Sequence, residues 1–312
     1  MGAWGTGLYS SDFAADMRPL IKTALSLPFD EDRIVAIIRE REAQSADNRD
    51  DEDYANFWLA LADQFAKRGV AHAETRGRAI AIIDEGRDLA MLERLGMTAP
   101  DLRKRAMTLA ELRARLVAAP TISQPRKTLK APLPYALETN TLYVCPTAGS
   151  AAINPYIGRK DFFGKRFVQD HWRLFLVVAR NKSFGFLPWY QPLVAKRISE
   201  EKPGLAEARG DWWWELDSPK TCSERHAKIM EIKPLGVLAV DTEKLKARFP
   251  SRPRGVHFGW DGTSAAVNDI TIGNCMAPSI YDWERWYVKR GELPKEGPTT
   301  VRSLGEVLRD EG

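Results

Sequence analysis

Through its first 118 residues the chain places apolar side chains at the three- and four-residue spacing of helices, with no strand pattern among them. The clearest stripe is Tyr54, Phe57, Trp58, Leu61 and Phe65. Acidic residues crowd its start, Lys67 and Arg68 close it, and Gly69 follows, which predicts a helix over 51–68. Asp30 is placed to cap a helix over 30–43, with Phe29 and Ile34 spaced as a hydrophobic staple. Further helices are expected over 73–85, with Ile80 and Ile83 on one face, and over 88–95 before Gly96. Thr98-x-x-Asp101 and Thr108-x-x-Glu111 both resemble capping boxes, so 99–118 reads as one broken helix or two short ones. Asp12 is placed to cap the first helix, and Pro19 predicts a kink or a fresh start within 12–27. A small helical bundle is the natural way to bury these stripes.

From Pro120 to Pro134 four prolines with Arg126, Lys127 and Lys130 form a basic, extended linker. Beyond it the pattern turns to short apolar runs bounded by turn residues. Residues 173–180 and 183–190 flank Asn181-Lys182, a candidate hairpin turn, and 256–260 before Asp261-Gly262 repeats the signal. Other expected strands are 141–145, 212–216, 227–232 and 237–240. A short helix is expected from Asp241 to near Phe249, and an amphipathic one over 300–309 on Val301, Leu304, Val307 and Leu308. The expected fold class is therefore α+β: an all-helical N-terminal bundle (1–119), the linker (120–134), and a mainly antiparallel β-rich module with a C-terminal helix (135–312).

Charge and composition sharpen this division. Residues 1–120 hold 17 Lys+Arg against 20 Asp+Glu, a net of −3; the remainder holds 29 against 22, a net of +7. Eight of the ten tryptophans also lie in the second part. The three cysteines, Cys145, Cys222 and Cys275, are far apart and odd in number, which suits a reducing, cytoplasmic setting. The run 174–179 is six residues against the ~20 of a membrane helix, so no membrane association is expected.

The opening Met-Gly-Ala-Trp-Gly-Thr-Gly, followed by Ser11-Asp12-x-Ala14-x-Asp16, resembles the N-terminus of a widespread family of uncharacterised bacterial proteins. Phe57-Trp58-Leu59-Ala60-Leu61-Ala62 with Gly69 is similar to that family's second hallmark. The resemblance spans about residues 1–118 and implies membership without implying an activity. Physically the opening reads as a plug in which Gly2, Gly5 and Gly7 allow sharp turns and Trp4 is an apolar anchor, packed or held out to a partner.

Three constellations suggest chemistry. Cys145, expected at a strand end before a Thr-Ala-Gly-Ser loop, could act as a nucleophile with His171, His226 or His257 as base, although buried strand cysteines are common core residues. Cys222 and His226, four apart, would share a helix face and could ligate a metal with His257 and Cys275. Asp217, Glu231 and Lys233 could form a metal-dependent nuclease core. No phosphate loop or hydrolase elbow is present, and no cofactor can be named.

Basic residues interleave with aromatics in the second part: Arg159, Lys160, Lys165, Arg166, Lys196 and Arg197 with Trp172, Trp189 and Tyr190, then Trp212-Trp213-Trp214. In a strand the three tryptophans must fall on both faces of the sheet. Core use accounts for most such rings, and any left exposed beside Arg and Lys suit a protein interface or base stacking. The expected function is a non-catalytic interaction protein whose β-rich module recognises a protein partner. A nuclease-like or Cys145-based enzyme, or a nucleic-acid-binding regulator, is the alternative.

Overall fold

The computed structural model describes residues 5–148, 151–153, 155, 159, 166–210, 212–217, 219–249 and 300–309. It divides the chain into two units, 1–131 and 132–312. Trp4, Lys160, Lys165, His257, Cys275 and the expected strand 256–260 lie outside the described residues.

In the first unit the helices are α1 (Asp12–Ala24), α2 (Glu31–Arg41), α3 (Ala43–Asp47), α4 (Tyr54–Ala66), α5 (Ala73–Asp84), α6 (Arg87–Arg94) and α7 (Ala99–Ala118). Helix α4 buries nearly every side chain, so it runs through the middle of the bundle rather than presenting one stripe. Its Trp58 is fully buried, donates Nε1–H to the Ala46 carbonyl at 3.0 Å, and carries Arg78 4.6 Å from its ring centroid.

Several local expectations are corrected. Ser11, not Asp12, caps α1, its side chain accepting from the Ala14 amide. Pro19 sits inside α1, exposed, and starts no new helix. Helix α7 is continuous because the Thr108 hydroxyl donates back to the Lys104 carbonyl at 3.3 Å instead of capping a second helix. On α5 the buried positions are Thr75, Ala79 and Ile82, with Ile80 and Ile83 half-buried.

The proline-rich segment lacks helix and strand, yet it is hydrogen-bonded along the first unit. The Gln124 amide donates to Gly69, the Leu129 amide to Ser26, and Arg126 to the Phe29 carbonyl. Residues 123–129 thus form a strap on that unit.

The second unit is built on a seven-stranded antiparallel sheet. Its strands are β1 (Thr141–Ala148), β2 (Ala151–Ala152), β3 (His171–Ser183), β4 (Leu187–Ser199), β5 (Trp214–Leu216), β6 (Lys233–Val237) and β7 (Thr300–Val301). The order is β2-β1-β3-β4-β5-β7, and β6 pairs with β1 beside β2. Three short helices join them: α8 (Leu205–Ala208), α9 (Glu224–Ile229) and α10 (Thr242–Arg248). One face packs Leu142, Val144, Leu174, Leu176, Trp212 and Trp214 with Leu245 and Phe249. The other packs Tyr143, Cys145, Phe175, Val177, Tyr190 and Met230.

The hairpin turn lies two residues beyond Asn181-Lys182. The Phe186 amide donates to Ser183, with Phe184 at φ 53 and Gly185 at φ 75, the paired left-handed conformation that matches strand twist. Residues 227–232 are not a strand. Ser223 accepts from the His226 amide and starts α9, Glu231 reverses the chain at φ 55, and β6 begins two residues later. Residues 237–240 mostly follow β6, with Val240 bridging Leu308. Thr242–Arg248 is helical as expected, capped by Asp241. The C-terminal helix is replaced by β7 and a single 3-10 turn, Leu304–Glu306. Pairing of Thr300 and Val301 with β5 holds the chain extended, and a Ser303–Glu306 capping box closes the turn after it. The apolar positions Val301, Leu304 and Val307 are nonetheless buried. Among the described residues no helix is long and apolar enough to cross a membrane.

Candidate functional site

The nucleophile reading fails on burial. Strand β1 runs on through Pro146 to Ala148, so Cys145 stands within a strand rather than at its end. It pairs with Arg173, and His171 pairs with Thr147 one step along, held by Asp170 through Nδ1 at 2.9 Å. Base and thiol therefore share a face. The thiol, however, is fully buried, and burial pushes its pKa up to about 12 against a partial offset from Arg173. Roughly one molecule in 10⁵ would carry the thiolate at neutral pH. Cys145 is core.

Of the four residues in the metal reading, His257 and Cys275 lie outside the described residues, and Cys222 and His226 do not share a helix face. Cys222 precedes the Ser223 cap and so is not on α9 with His226; it is buried, its thiol directed to the Ser223 carbonyl at 3.5 Å. His226 is half-buried, and its pKa is lowered by burial and then by Arg225. Among the described residues no group of His, Cys, Asp and Glu is placed to hold a metal.

The nuclease set is scattered. Asp217 follows β5, where it pairs with the buried Lys220 at 3.1 Å. Lys233 begins β6, four strand spacings away through β4, β3 and β1, or about 19 Å. Glu231 is taken by Arg159 at 2.7 Å. These carboxylates cannot share one ion.

The aromatics divide sharply. Trp189, Tyr190, Trp212 and Trp214 are buried and fill the sheet's two faces, which removes them from a contact surface. The Tyr190 hydroxyl accepts from the Ala136 amide at 2.6 Å, so it tethers the entering chain. Arg159 packs on Phe167 besides pairing with Glu231, while Arg166 is exposed.

What remains accessible was under-weighted in the sequence. Trp172 pairs with Ser199, and Trp214 with Ala195 and Val301, so the residues entering β3 and β5 and leaving β4 and β7 gather at one end of the sheet. There each aromatic ring carries a cation: Lys202 is 5.8 Å from the Trp172 centroid, Arg197 5.4 Å from Trp212, and Arg302 5.5 Å from Trp213. Trp172 and Trp213 are half-buried, and the three cations are exposed. None of the three forms an ion pair among the described residues, whereas neighbouring Lys196 is neutralised by Glu215. Alternation about Trp213 was the available signal: with Trp212 and Trp214 packed into one face, their centroids 6.5 Å apart, the middle ring turns to the other. A second clamp, Arg180 and Lys182 at 4.2 and 4.7 Å from Tyr135, had no sequence signal because it joins residues over forty apart.

Compared with protein-family models, with curated proteins and with solved structures, the chain matches none.

Proposed function

We propose that this chain is a non-catalytic recognition protein whose β-rich unit contacts a protein partner through the aromatic–cation end of its sheet. The observation that carries this reading is the pairing of rings with cations at that end, Trp172 with Lys202 and Trp212 with Arg197 toward one face and Trp213 with Arg302 toward the other, the cations exposed and without an ion pair among the described residues. Tryptophan and arginine dominate the energetics of protein interfaces, because they bring large apolar area together with directional charge. A partner that fits presents carboxylates around an apolar patch.

The catalytic alternatives need convergent groups, and among the described residues the ones named for them are dispersed or buried. Nucleic acid differs from a protein partner in its salt response and its absorbance, so one purification distinguishes them. In pull-downs from the host with the full chain, one dominant protein should be retained. Arg197→Glu/Lys202→Glu/Arg302→Glu should lose it without a change in melting temperature. Nucleic acid released by salt from the wild type, or a companion protein held equally by the triple variant, would count against the proposal.

A further inference from the structure

The first unit holds a charged constellation that the second unit's recognition role leaves unexplained. Tyr9 donates its hydroxyl to Asp63 Oδ2 at 2.6 Å and accepts from Gln64. Asp63 lies fully buried on α4; Tyr9's own burial, and then the Asp63 carboxylate it bonds to, raise the Tyr9 pKa well above the usual phenol range. Around this core stand four cations. Lys67 reaches Asp63 Oδ2 at 2.7 Å, and Arg115 from α7 reaches Oδ1 at 2.9 Å. Arg18 from α1 and Lys67 lie 5.4 and 5.7 Å from the Tyr9 ring centroid. Arg68 is held by Gln64 Oε1 at 2.6 Å and by the Gln64 carbonyl at 3.2 Å.

Four cations against one carboxylate leave three formal positive charges. Asp63 is buried beneath its two partners, so the surplus faces outward. Arg18 and Arg68 form no ion pair among the described residues, and Glu111, one turn before Arg115, pairs with none of the four. The cations are also positioned rather than loose. Tyr9 carries Arg18 and Lys67 against its ring, Gln64 holds Arg68 through one terminal nitrogen, and Asp63 meets Lys67 and one terminal nitrogen of Arg115, so each guanidinium has N–H donors beyond those its partner engages. Three planar guanidinium groups and an ammonium suit a tetrahedral oxyanion with two charges.

We infer that Arg18, Lys67, Arg68 and Arg115, arrayed around Tyr9, bind the phosphoryl group of a small phosphorylated molecule. The site is a surface cradle, not a deep pocket, so the phosphoryl group itself supplies the recognition.

The test titrates the full chain with inorganic phosphate and with glycerol phosphate against a matched chloride background, by calorimetry and phosphorus NMR line width. Saturable binding is expected in the wild type, weakened at least tenfold in Arg18→Gln/Arg68→Gln, since each lost charged hydrogen bond is worth about that factor. Arg113→Gln, which breaks only the exposed pair with Asp84, should bind as wild type. Arg18→Gln alone keeps the test readable if losing the Arg68–Gln64 contact unfolds the unit. Binding that fails to saturate, or that is unchanged in both Arg18 variants, would overturn the inference. Sedimentation with phosphatidylglycerol vesicles without saturable binding of either free phosphate would also overturn the small-molecule assignment.

Discussion

Arg105→Ala should unfold a large fraction of the first unit's stability, and the reason can be worked from three hydrogen bonds. Arg105 donates Nε to Asp88 Oδ2 and one terminal nitrogen to Oδ1, both at 2.8 Å, and its other terminal nitrogen to the Gly7 carbonyl at 2.6 Å. The two side chains are 4% and 3% exposed. Deleting one partner of such a pair leaves the other charge buried, at a cost of about 3–5 kcal/mol. Whole-domain stabilities are only about 5–15 kcal/mol, so the variant forfeits a third or more of a typical value. Urea unfolding followed by far-ultraviolet circular dichroism measures the loss. Asp88→Leu/Arg105→Met should recover most of the loss, while amide exchange at Gly7 to Tyr9 should still speed up because the anchor to the opening segment is gone. A cost below about 1 kcal/mol would refute the reasoning.

Three further outcomes follow from burial. Tyr190, its pKa pushed up to about 12 by burial, stays protonated where the unfolded chain ionises near 10. Native stability should then fall as pH rises from about 10 to about 12, by roughly 2–3 kcal/mol from this residue, and Tyr190→Phe should flatten that limb of the denaturation profile. Cys145 should resist iodoacetamide in native buffer and label only in denaturant, read by peptide mass mapping; rapid native labelling would show the strand to be open. Trp214→Ala should cost about 3–5 kcal/mol by leaving a cavity, while Trp213→Ala should cost no more than about 1 kcal/mol, a contrast that thermal melts resolve.

The first unit was largely legible because helical spacing and caps are local signals. Asp30 capping α2, the apolar run of α4 and the end of α5 before Gly86 all follow from residues within one or two turns of each other. The errors there were also local competitions. Thr108 satisfied its hydroxyl inside α7, and Ser11 rather than its neighbour took the cap. The second unit was read less well because its partners are distant in sequence. Residues 227–232 carry an apolar pattern that fits a strand, but the Ser223 cap and the left-handed Glu231 turned them into a helix and a reversal. Thr300 and Val301 became a strand only because β5, over eighty residues earlier, offered an edge. Catalytic candidates suffered most. Whether Cys145 is accessible, or whether Asp217 and Lys233 meet, is decided by strand order, which no local pattern encodes. The tryptophan triplet was half legible: alternation placed rings on both faces, but which face stayed open depended on α10 and the chain after β7 covering the other.

The central proposal, recognition through the aromatic–cation end of the sheet, meets its most direct test in a single affinity comparison. Binding of the purified partner to wild type and to Arg197→Glu/Lys202→Glu/Arg302→Glu would be measured by calorimetry at matched ionic strength. The account predicts at least a hundredfold loss of affinity in the variant with an unchanged melting temperature, because three attractive charges become repulsive at once. Equal affinity in the two proteins would contradict it.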